Sequence, residues 1–172
     1  MLNKRFLIIL LILNAVIVAC AHSSDTTQAP VPLAVIDRGL QAAGESESME
    51  GIWISDEDQL SNLINRTIST TKIPSKTMNL PKTNFAEYGL LLVRMGEKPS
   101  GGYGLELMAD MAELENRTAL VPVRWIEPEK GSITTQVITC PYLMIRMEKG
   151  AFDKIAVIDQ GGLVKLLVDV PK

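Results

Sequence analysis

A glycine-rich loop holds the residues of this 172-residue chain whose types and spacing are closest to a reactive site. Lys98 and Ser100 lie two positions apart, and Gly101, Gly102 and Tyr103 follow them. A lysine and a serine beside paired glycines are typical of a phosphate-binding loop or of a serine nucleophile with a lysine base. The phosphate loop, however, requires a lysine directly before its serine or threonine. A serine nucleophile on an elbow requires a strand-to-helix turn, and none is predicted after Ser100.

Other catalytic and metal-binding signatures are incomplete as well. The only histidine, His22, lies in a polar segment before the predicted fold. The fold itself therefore has no histidine for a catalytic triad or a zinc site. Gly102-Tyr103-Gly104 begins a dinucleotide fingerprint, but Leu107 occupies the position of the third glycine. The adjacent acids of residues 56–58 do not face one another on a helix, and they favour helix capping over metal binding. We therefore predict no catalytic residue, no metal site and no cofactor.

The N-terminus has the features of an export signal. Lys4 and Arg5 precede the apolar run 6–19, which is shorter than the roughly 20 residues of a membrane-spanning helix. The run ends in Ile17-Val18-Ala19-Cys20, which resembles a bacterial lipobox. The resemblance implies that residues 1–19 are a lipoprotein signal peptide and that Cys20 becomes the acylated first residue of the mature protein. An ordinary signal peptide or a short anchor helix is the alternative.

The segment after the cysteine predicts how the protein is held at the membrane. Residues 20–32 are polar and end in alternating prolines, which is typical of a flexible tether. Ala21 in place of an aspartate favours the outer membrane, by resemblance to enterobacterial sorting. Loss of Lys4 and Arg5 with the leader lowers the formal net charge from −3 to about −5, which argues against a nucleic-acid partner. Cys140 would then be the remaining thiol, and we expect it to be a small buried side chain.

A single β-rich domain is predicted over residues 33–172. Because Leu90, Leu91, Leu92 and Val93 are all apolar, the strand 89–95 should be covered on both faces. Pro122 indicates that the strand 118–126 lies at an edge or is bulged. Residues 133–138 alternate only weakly. Short apolar or alternating runs between glycine and proline turns predict the further strands 32–40, 51–54, 103–108, 142–147, 154–158 and 163–170.

One amphipathic helix is predicted near residues 56–69. Its apolar stripe would consist of Leu60, Leu63, Ile64 and Ile68, with Ser55 as the capping residue. Residues 108–116 could form a helical turn or a long hairpin connection. These elements predict an α+β fold dominated by an antiparallel sheet.

The loop and its flanking strands resemble the PrcB C-terminal domain family. The resemblance rests on Asn84-Phe85, the apolar strand, the sequence GEKPSGGY at 96–103, a following β-run, and Pro141 before the strand 142–147. It covers a core of about residues 85–149. It implies an accessory lipoprotein that supports a bacterial surface protease complex without cleaving peptides, and it supplies no catalytic residues.

The role of the loop stays open between structure and binding. Pro99 would stiffen the loop, Gly101 and Gly102 would permit backbone angles that other residues disfavour, and Tyr103 would pack at the start of a strand. The partner-binding interpretation assigns the residues Lys98, Pro99, Ser100, Gly101, Gly102 and Tyr103 to a protein contact.

The same residues 98–103 also resemble the Asn-Pro-Thr-Thr-Gly-Tyr loop of chagasin-type protease inhibitors. The first residue of that loop differs here, and the other two inhibitory loops of that family are not found. The sequence therefore predicts a lipid-anchored, non-catalytic binding or accessory module in the bacterial envelope, with protease inhibition as the alternative.

Replacing the proposed lipid acceptor tests the anchor. In Cys20→Ser the sulfur that carries the thioether-linked lipid is missing, so we expect the protein to lose labelling by a palmitate-type probe and to leave the membrane fraction. Cys140→Ser is the matched control and should keep both properties. Retained labelling of the Cys20→Ser protein would contradict the assignment.

Overall fold

The computed structural model describes residues 29–40, 47–70 and 82–171, and for residues 66–70 the backbone only. Cys20, His22, the leader 1–19 and most of the tether lie outside the described residues. Within the described ranges there are nine strands and one helix: β1 Val31–Gly39, β2 Glu50–Ile54, α1 Glu57–Thr70, β3 Tyr88–Arg94, β4 Gly104–Leu107, β5 Met111–Glu115, β6 Thr118–Ile126, β7 Tyr142–Glu148, β8 Lys154–Ile158 and β9 Val164–Asp169.

All nine strands belong to one sheet that is nearly closed into a barrel. Its order is β2-β3-β7-β1-β5-β6-β8-β9, and β4 pairs with β6 beyond the end of β5. The two outermost strands, β2 and β9, come into side-by-side contact, with Gly51 lying against Val168 and Leu166. A side chain on Gly51 would fill this seam, so glycine is required for the close approach.

The predicted α+β class is wrong. Nearly half of the described residues are in strands and only one short helix lies among them, so the protein is mostly β. The sheet is mixed, because β6 and β8 run parallel from the pair Thr118–Lys154 to the pair Pro122–Ile158. Alternation along a strand reveals which face is buried but does not reveal the direction of its neighbour. The parallel pair therefore had no local signal.

The interior of the barrel and one outer face are both apolar, which explains the uninterrupted run in β3. Leu91 and Val93 point into the barrel, where they pack with side chains from the other strands. Leu90 and Leu92 point outward, and α1 covers them with Leu60, while Leu63 and Ile64 pack at the border of this cluster. The expectation that this strand is covered on both faces is confirmed. Each fully buried leucine side chain contributes roughly 2 kcal/mol through the hydrophobic effect.

The cap of α1 lies one residue later than predicted. The Oδ1 atom of Asp56 accepts a hydrogen bond of 2.8 Å from the Gln59 N–H. In return, the Gln59 Oε1 atom accepts one of 3.0 Å from the Ser55 N–H. This pair resembles a capping box, except that the glutamine reaches the amide of the residue before the cap, and it satisfies one free amide of the first helical turn and the Ser55 amide. The helix itself, Glu57–Thr70, agrees with the predicted position.

The open segment 108–116 contains a strand and not a helical turn. Strand β5 pairs with β6 through a two-residue turn in which Asn116 and Arg117 have φ of 47° and 64°. Two positive φ values are typical of a type I′ hairpin turn. The sequence of β5, MAELE, consists largely of helix-favouring residues, so pairing with β1 and β6 overrides local propensity here.

The strand around Pro122 is not at an edge. Strand β6 has β8 on one side and β5 followed by β4 on the other. Pro122 lies where the partner changes from β5, which ends its pairing at Leu120, to β4, which begins at Val123. The segment between β4 and β5 bulges where the pairing changes, and the Pro122 carbonyl accepts a 2.9 Å hydrogen bond from the Met108 N–H of this segment. Proline cannot donate a backbone hydrogen bond to a neighbouring strand, and the resulting break in the pairing is taken up by the bulge between β4 and β5.

The register of the strands divides the loops between two ends of the barrel. We name the end at which β1 begins, at Val31, the proximal end. The opposite end, where β1 finishes at Gly39 beside Tyr142 and Arg94, is the distal end. The strand pairings place four described loops at the distal end: residues 47–49, 95–103, 127–141 and 159–163. The described chain therefore begins at one end and presents the glycine-rich loop at the other.

At the proximal end, Lys149 connects three segments. Its Nζ atom donates to the carbonyl oxygens of Phe85, at 2.6 Å, and Ser55, at 3.0 Å. It therefore joins the start of α1 and the approach to β3 to the end of β7. We expect Lys149→Met to lower the free energy of unfolding by about 1 kcal/mol, because two carbonyls lose a charged donor. Chemical denaturation measures this difference. Lys154→Met, at an exposed lysine of the same end, should change stability little, and equal losses in both variants would contradict the assignment.

Candidate functional site

The glycine-rich loop is hydrogen-bonded to a second segment along most of its length. The Lys98 N–H donates to the Thr139 carbonyl at 2.7 Å, and the Thr139 N–H donates back to the Lys98 carbonyl at 3.0 Å. Further along, the Gly101 N–H donates to the Thr135 carbonyl at 2.9 Å. Residues 97–101 and 135–139 therefore run antiparallel as an irregular two-stranded unit, which we name the distal ribbon.

A buried threonine fixes the turn of the loop. The Thr139 side chain is 7% exposed, and its Oγ1 atom donates a 2.9 Å hydrogen bond to the Ser100 carbonyl. Together with the two backbone bonds to Lys98, this gives Thr139 three hydrogen bonds to the loop. A hydroxyl at this depth has to be satisfied within the protein, so the loop and Thr139 constrain each other. Sequence reasoning missed Thr139, since it noted only a weak alternation over the preceding residues 133–138.

Lys98 and Ser100 do not form a catalytic pair in the described structure. The Ser100 Oγ atom donates to the Gly101 carbonyl at 3.1 Å. The Lys98 Nζ atom lies over the Tyr103 ring, 5.7 Å from its centroid, which is a cation–π distance. Tyr103 in turn packs against the barrel core. The two side chains thus take part in separate local contacts, and the arrangement stiffens the loop.

The two glycines of the loop serve different needs. Gly102 has a φ of +90°, which a residue with a side chain rarely adopts, and its missing Cβ would lie 3.0 Å from Pro128. The predicted unusual backbone angle is confirmed there. Gly101 does not have a positive φ; its hydrogen atoms lie against the Thr135 hydroxyl, so it permits a close approach of the two segments instead.

The second segment of the ribbon presents apolar side chains to solvent. Ile133, Val137 and Ile138 are 102%, 57% and 65% exposed. They lie within the longest uncharged stretch of the domain, residues 131–145, which the sequence could have indicated. Leu163 and Val164, beside the distal turn 159–162, are also exposed. An accumulation of exposed apolar residues at one end of a domain is typical of an interaction surface.

Two polar pairs tie the strand ends beneath this surface. The Arg94 guanidinium, which is almost fully buried, lies 2.6 Å from the Glu50 carboxylate. The Tyr142 hydroxyl donates a 2.8 Å hydrogen bond to Asp37. Burial raises the pKa of Tyr142 well above its ordinary value, and the hydrogen bond and negative charge of Asp37 act in the same direction. The phenol therefore stays protonated at neutral pH as a fixed donor that joins β1 to β7.

Neither a metal cluster nor a membrane-spanning helix is found among the described residues. No group of three histidine, cysteine or acidic residues comes together within those ranges. No helix in that part of the chain is long and apolar enough to cross a bilayer. Cys140 is of intermediate exposure, so it is less buried than expected.

The fold and the site together define a mostly-β, barrel-like domain with a rigid, glycine-containing loop at its distal end. Residues 90–148 match the family model described as PrcB C-terminal, and the chain carries a region of this family. The resemblance read from the loop is thereby confirmed. The matched region runs from β3 to β7 and contains both segments of the distal ribbon. Neither the search of curated proteins nor the search of solved structures found a significant match.

The conformation of Gly102 makes a testable demand on stability. We expect Gly102→Ala to lower the free energy of unfolding by about 1 kcal/mol or more, because alanine disfavours a positive φ and its methyl group meets Pro128. Gly104→Ala is the matched control, since a Cβ there would be in ordinary contact with Ile126 at 3.7 Å. Melting temperatures measure the difference. An unchanged value for Gly102→Ala would contradict this role.

Proposed function

We propose that this chain is a lipid-anchored, non-catalytic protein of the bacterial envelope that acts as a binding or accessory module and stabilises a surface protease complex. The PrcB C-terminal match supports a protease-complex-associated, accessory type of domain. The lipid anchor on Cys20, the outer membrane and the protease partner are the finer parts of the proposal. They rest on the lipobox and on the family resemblance.

The observation that carries the proposal is the distal ribbon. Its loop is fixed by backbone hydrogen bonds, while Ile133, Val137 and Ile138 beside it remain in solvent. A surface that is ordered before binding loses little conformational entropy when a partner docks. Exposed apolar side chains supply the area whose burial favours association. These two properties suit protein binding, whereas the contacts of Lys98 and Ser100 leave no activated nucleophile.

The position of the ribbon agrees with an anchor at the N-terminus. Strand β1 begins at the proximal end with Val31 and spans nine residues toward the distal end, a rise of about 27 Å. An extended tether from Cys20 to Val31 would reach at most about 40 Å. A lipid on Cys20 would therefore attach the domain to the membrane through its proximal end, and the distal ribbon would be the end farther from the attachment point.

Protease inhibition is the weaker function. The loop that chagasin-type inhibitors use lies at the end of a β-sandwich, whereas residues 98–103 lie at the end of a barrel-like sheet. In addition, one side of the loop is occupied by the segment 135–139. The resemblance to that family is thus restricted to six residues.

The loop side chains provide a direct test of the binding surface. We expect Lys98→Ala combined with Ser100→Ala to keep the melting temperature within a few degrees, since the backbone bonds of the loop remain. The same variant should capture less of the partner, including a secreted protease, from cross-linked envelopes, because its side-chain contacts are lost. Quantitative mass spectrometry of the captured proteins measures the change.

A matched variant at the proximal end separates this effect from general damage. Lys154→Ala combined with Thr118→Ala removes a lysine and a hydroxyl from one register pair at that end, and it should capture the same proteins as the wild type. Equal capture by the loop variant and the wild type would count against a loop interface.

A further inference from the structure

The outer edge of the distal ribbon has an unused row of backbone donors. From Ile133 to Ile138, no backbone N–H donates to another described residue. Thr139 directs both its N–H and its carbonyl toward Lys98. Because these groups alternate in direction along an extended chain, the N–H groups of Ile138 and Gln136 face away from the loop. An exposed edge of this kind is a template for pairing with a further strand.

From this edge we propose that residues 133–138 bind an extended peptide segment of the partner protein, which pairs as an additional strand and carries basic residues beside an apolar centre. The inference rests on the proposed function, since it specifies how the partner is recognised. Backbone pairing would supply affinity, and the exposed Ile133, Val137 and Ile138 would select apolar, β-branched side chains.

The negative charge of the distal loops indicates that the bound peptide has basic residues on both sides of its centre. The segment 131–145 itself carries no charge, so the selection at its centre is apolar. Lys98 is engaged over Tyr103, and Lys130 is the other basic residue of these loops. The acidic residues of the four distal loops, which we name the acidic rim, outnumber these two lysines. A peptide with lysine or arginine on both sides of an apolar centre would complement the acidic rim. The acidic members of the four distal loops are Glu47, Glu97, Glu127, Glu129 and Asp159.

The same features disfavour two other occupants. A lipid surface is a poor match because backbone N–H groups without acceptors cannot enter hydrocarbon at low cost. The acidic rim would also repel anionic headgroups. A second copy of the chain would bring two acidic rims together, which costs free energy through like-charge repulsion. A basic, extended peptide satisfies both the backbone and the charges.

Designed peptides test the inference on the full-length mature chain held in zwitterionic lipid nanodiscs. The probe is a nonapeptide with alternating valine and threonine at its centre and two lysines at each end. We expect saturable binding by fluorescence anisotropy, with slower hydrogen exchange at the amides of Gln136 and Ile138. N-methylation of alternate peptide amides should weaken binding about tenfold or more, since it removes the strand-pairing donors. Glutamates in place of the lysines should weaken it by a similar factor.

Charge reversal on the protein gives the matched comparison. Glu97→Lys with Glu129→Lys should shift the preference from the lysine-flanked to the glutamate-flanked peptide, because both exposed acids lie at the distal end. Glu113→Lys with Glu115→Lys makes the same change on β5 and should leave the preference unaltered.

Three results would overturn the inference. The first is that the N-methylated peptide binds as tightly as the unmodified peptide. The second is that the lysine-flanked peptide does not bind up to millimolar concentration. The third is that the distal end binds empty nanodiscs more tightly than it binds the peptide. The outcome is separable from that of the proposed function. If peptides fail while the variant Lys98→Ala with Ser100→Ala still loses its envelope partner, the partner docks without an added strand. If neither changes, the distal end is not the interface.

Discussion

Three hydrogen bonds at Thr139 determine the shape of the distal end. Two of them join its backbone to Lys98, and the third joins its hydroxyl to the Ser100 carbonyl. The threonine is buried because the strands β3 and β7, whose ends flank the ribbon, are packed on both faces. The core therefore positions Thr139, and Thr139 positions the loop. Removal of its hydroxyl would leave the partly buried Ser100 carbonyl without this donor, which typically costs about 1 kcal/mol.

The nearly closed sheet gives the protein two distinct ends, which cannot be recognised from the sequence alone. The β6–β8 parallel pair and the contact between β2 and β9 bring N-terminal and C-terminal strands into one barrel-like wall. All strands then begin or finish at one of two ends, and the polar ties Arg94–Glu50 and Tyr142–Asp37 hold the strand ends below the distal loops. The region that matches the PrcB C-terminal family lies inside this wall and depends on strands outside the match for its closure. Truncation to the matched residues would expose the barrel interior.

Periodicity and turn chemistry were sufficient for much of the secondary structure. The two-faced strand β3, the helix α1 and the β8–β9 hairpin around Asp159 follow from local patterns, because the apolar spacing and turn residues of each lie within one short segment. The fold class did not follow, since strand β5 has a helix-favouring sequence and parallel pairing is a property of distant segments. At the site, the glycine-rich loop was recognised from its residues. Thr139 and the open edge beside it were missed, because pairing across 40 positions leaves no local signal.

We propose that the distal ribbon contacts a partner protein in the envelope while the proximal end is tethered to the membrane. Site-specific photocross-linking in living cells tests it most directly. A photoreactive amino acid at Val137 should give covalent adducts with a defined envelope protein, whereas the same group at Glu115, which is exposed on β5 near the proximal end, should give none with that protein. Adducts that form from Glu115 and are missing from Val137 would show that the distal ribbon is not the contact surface.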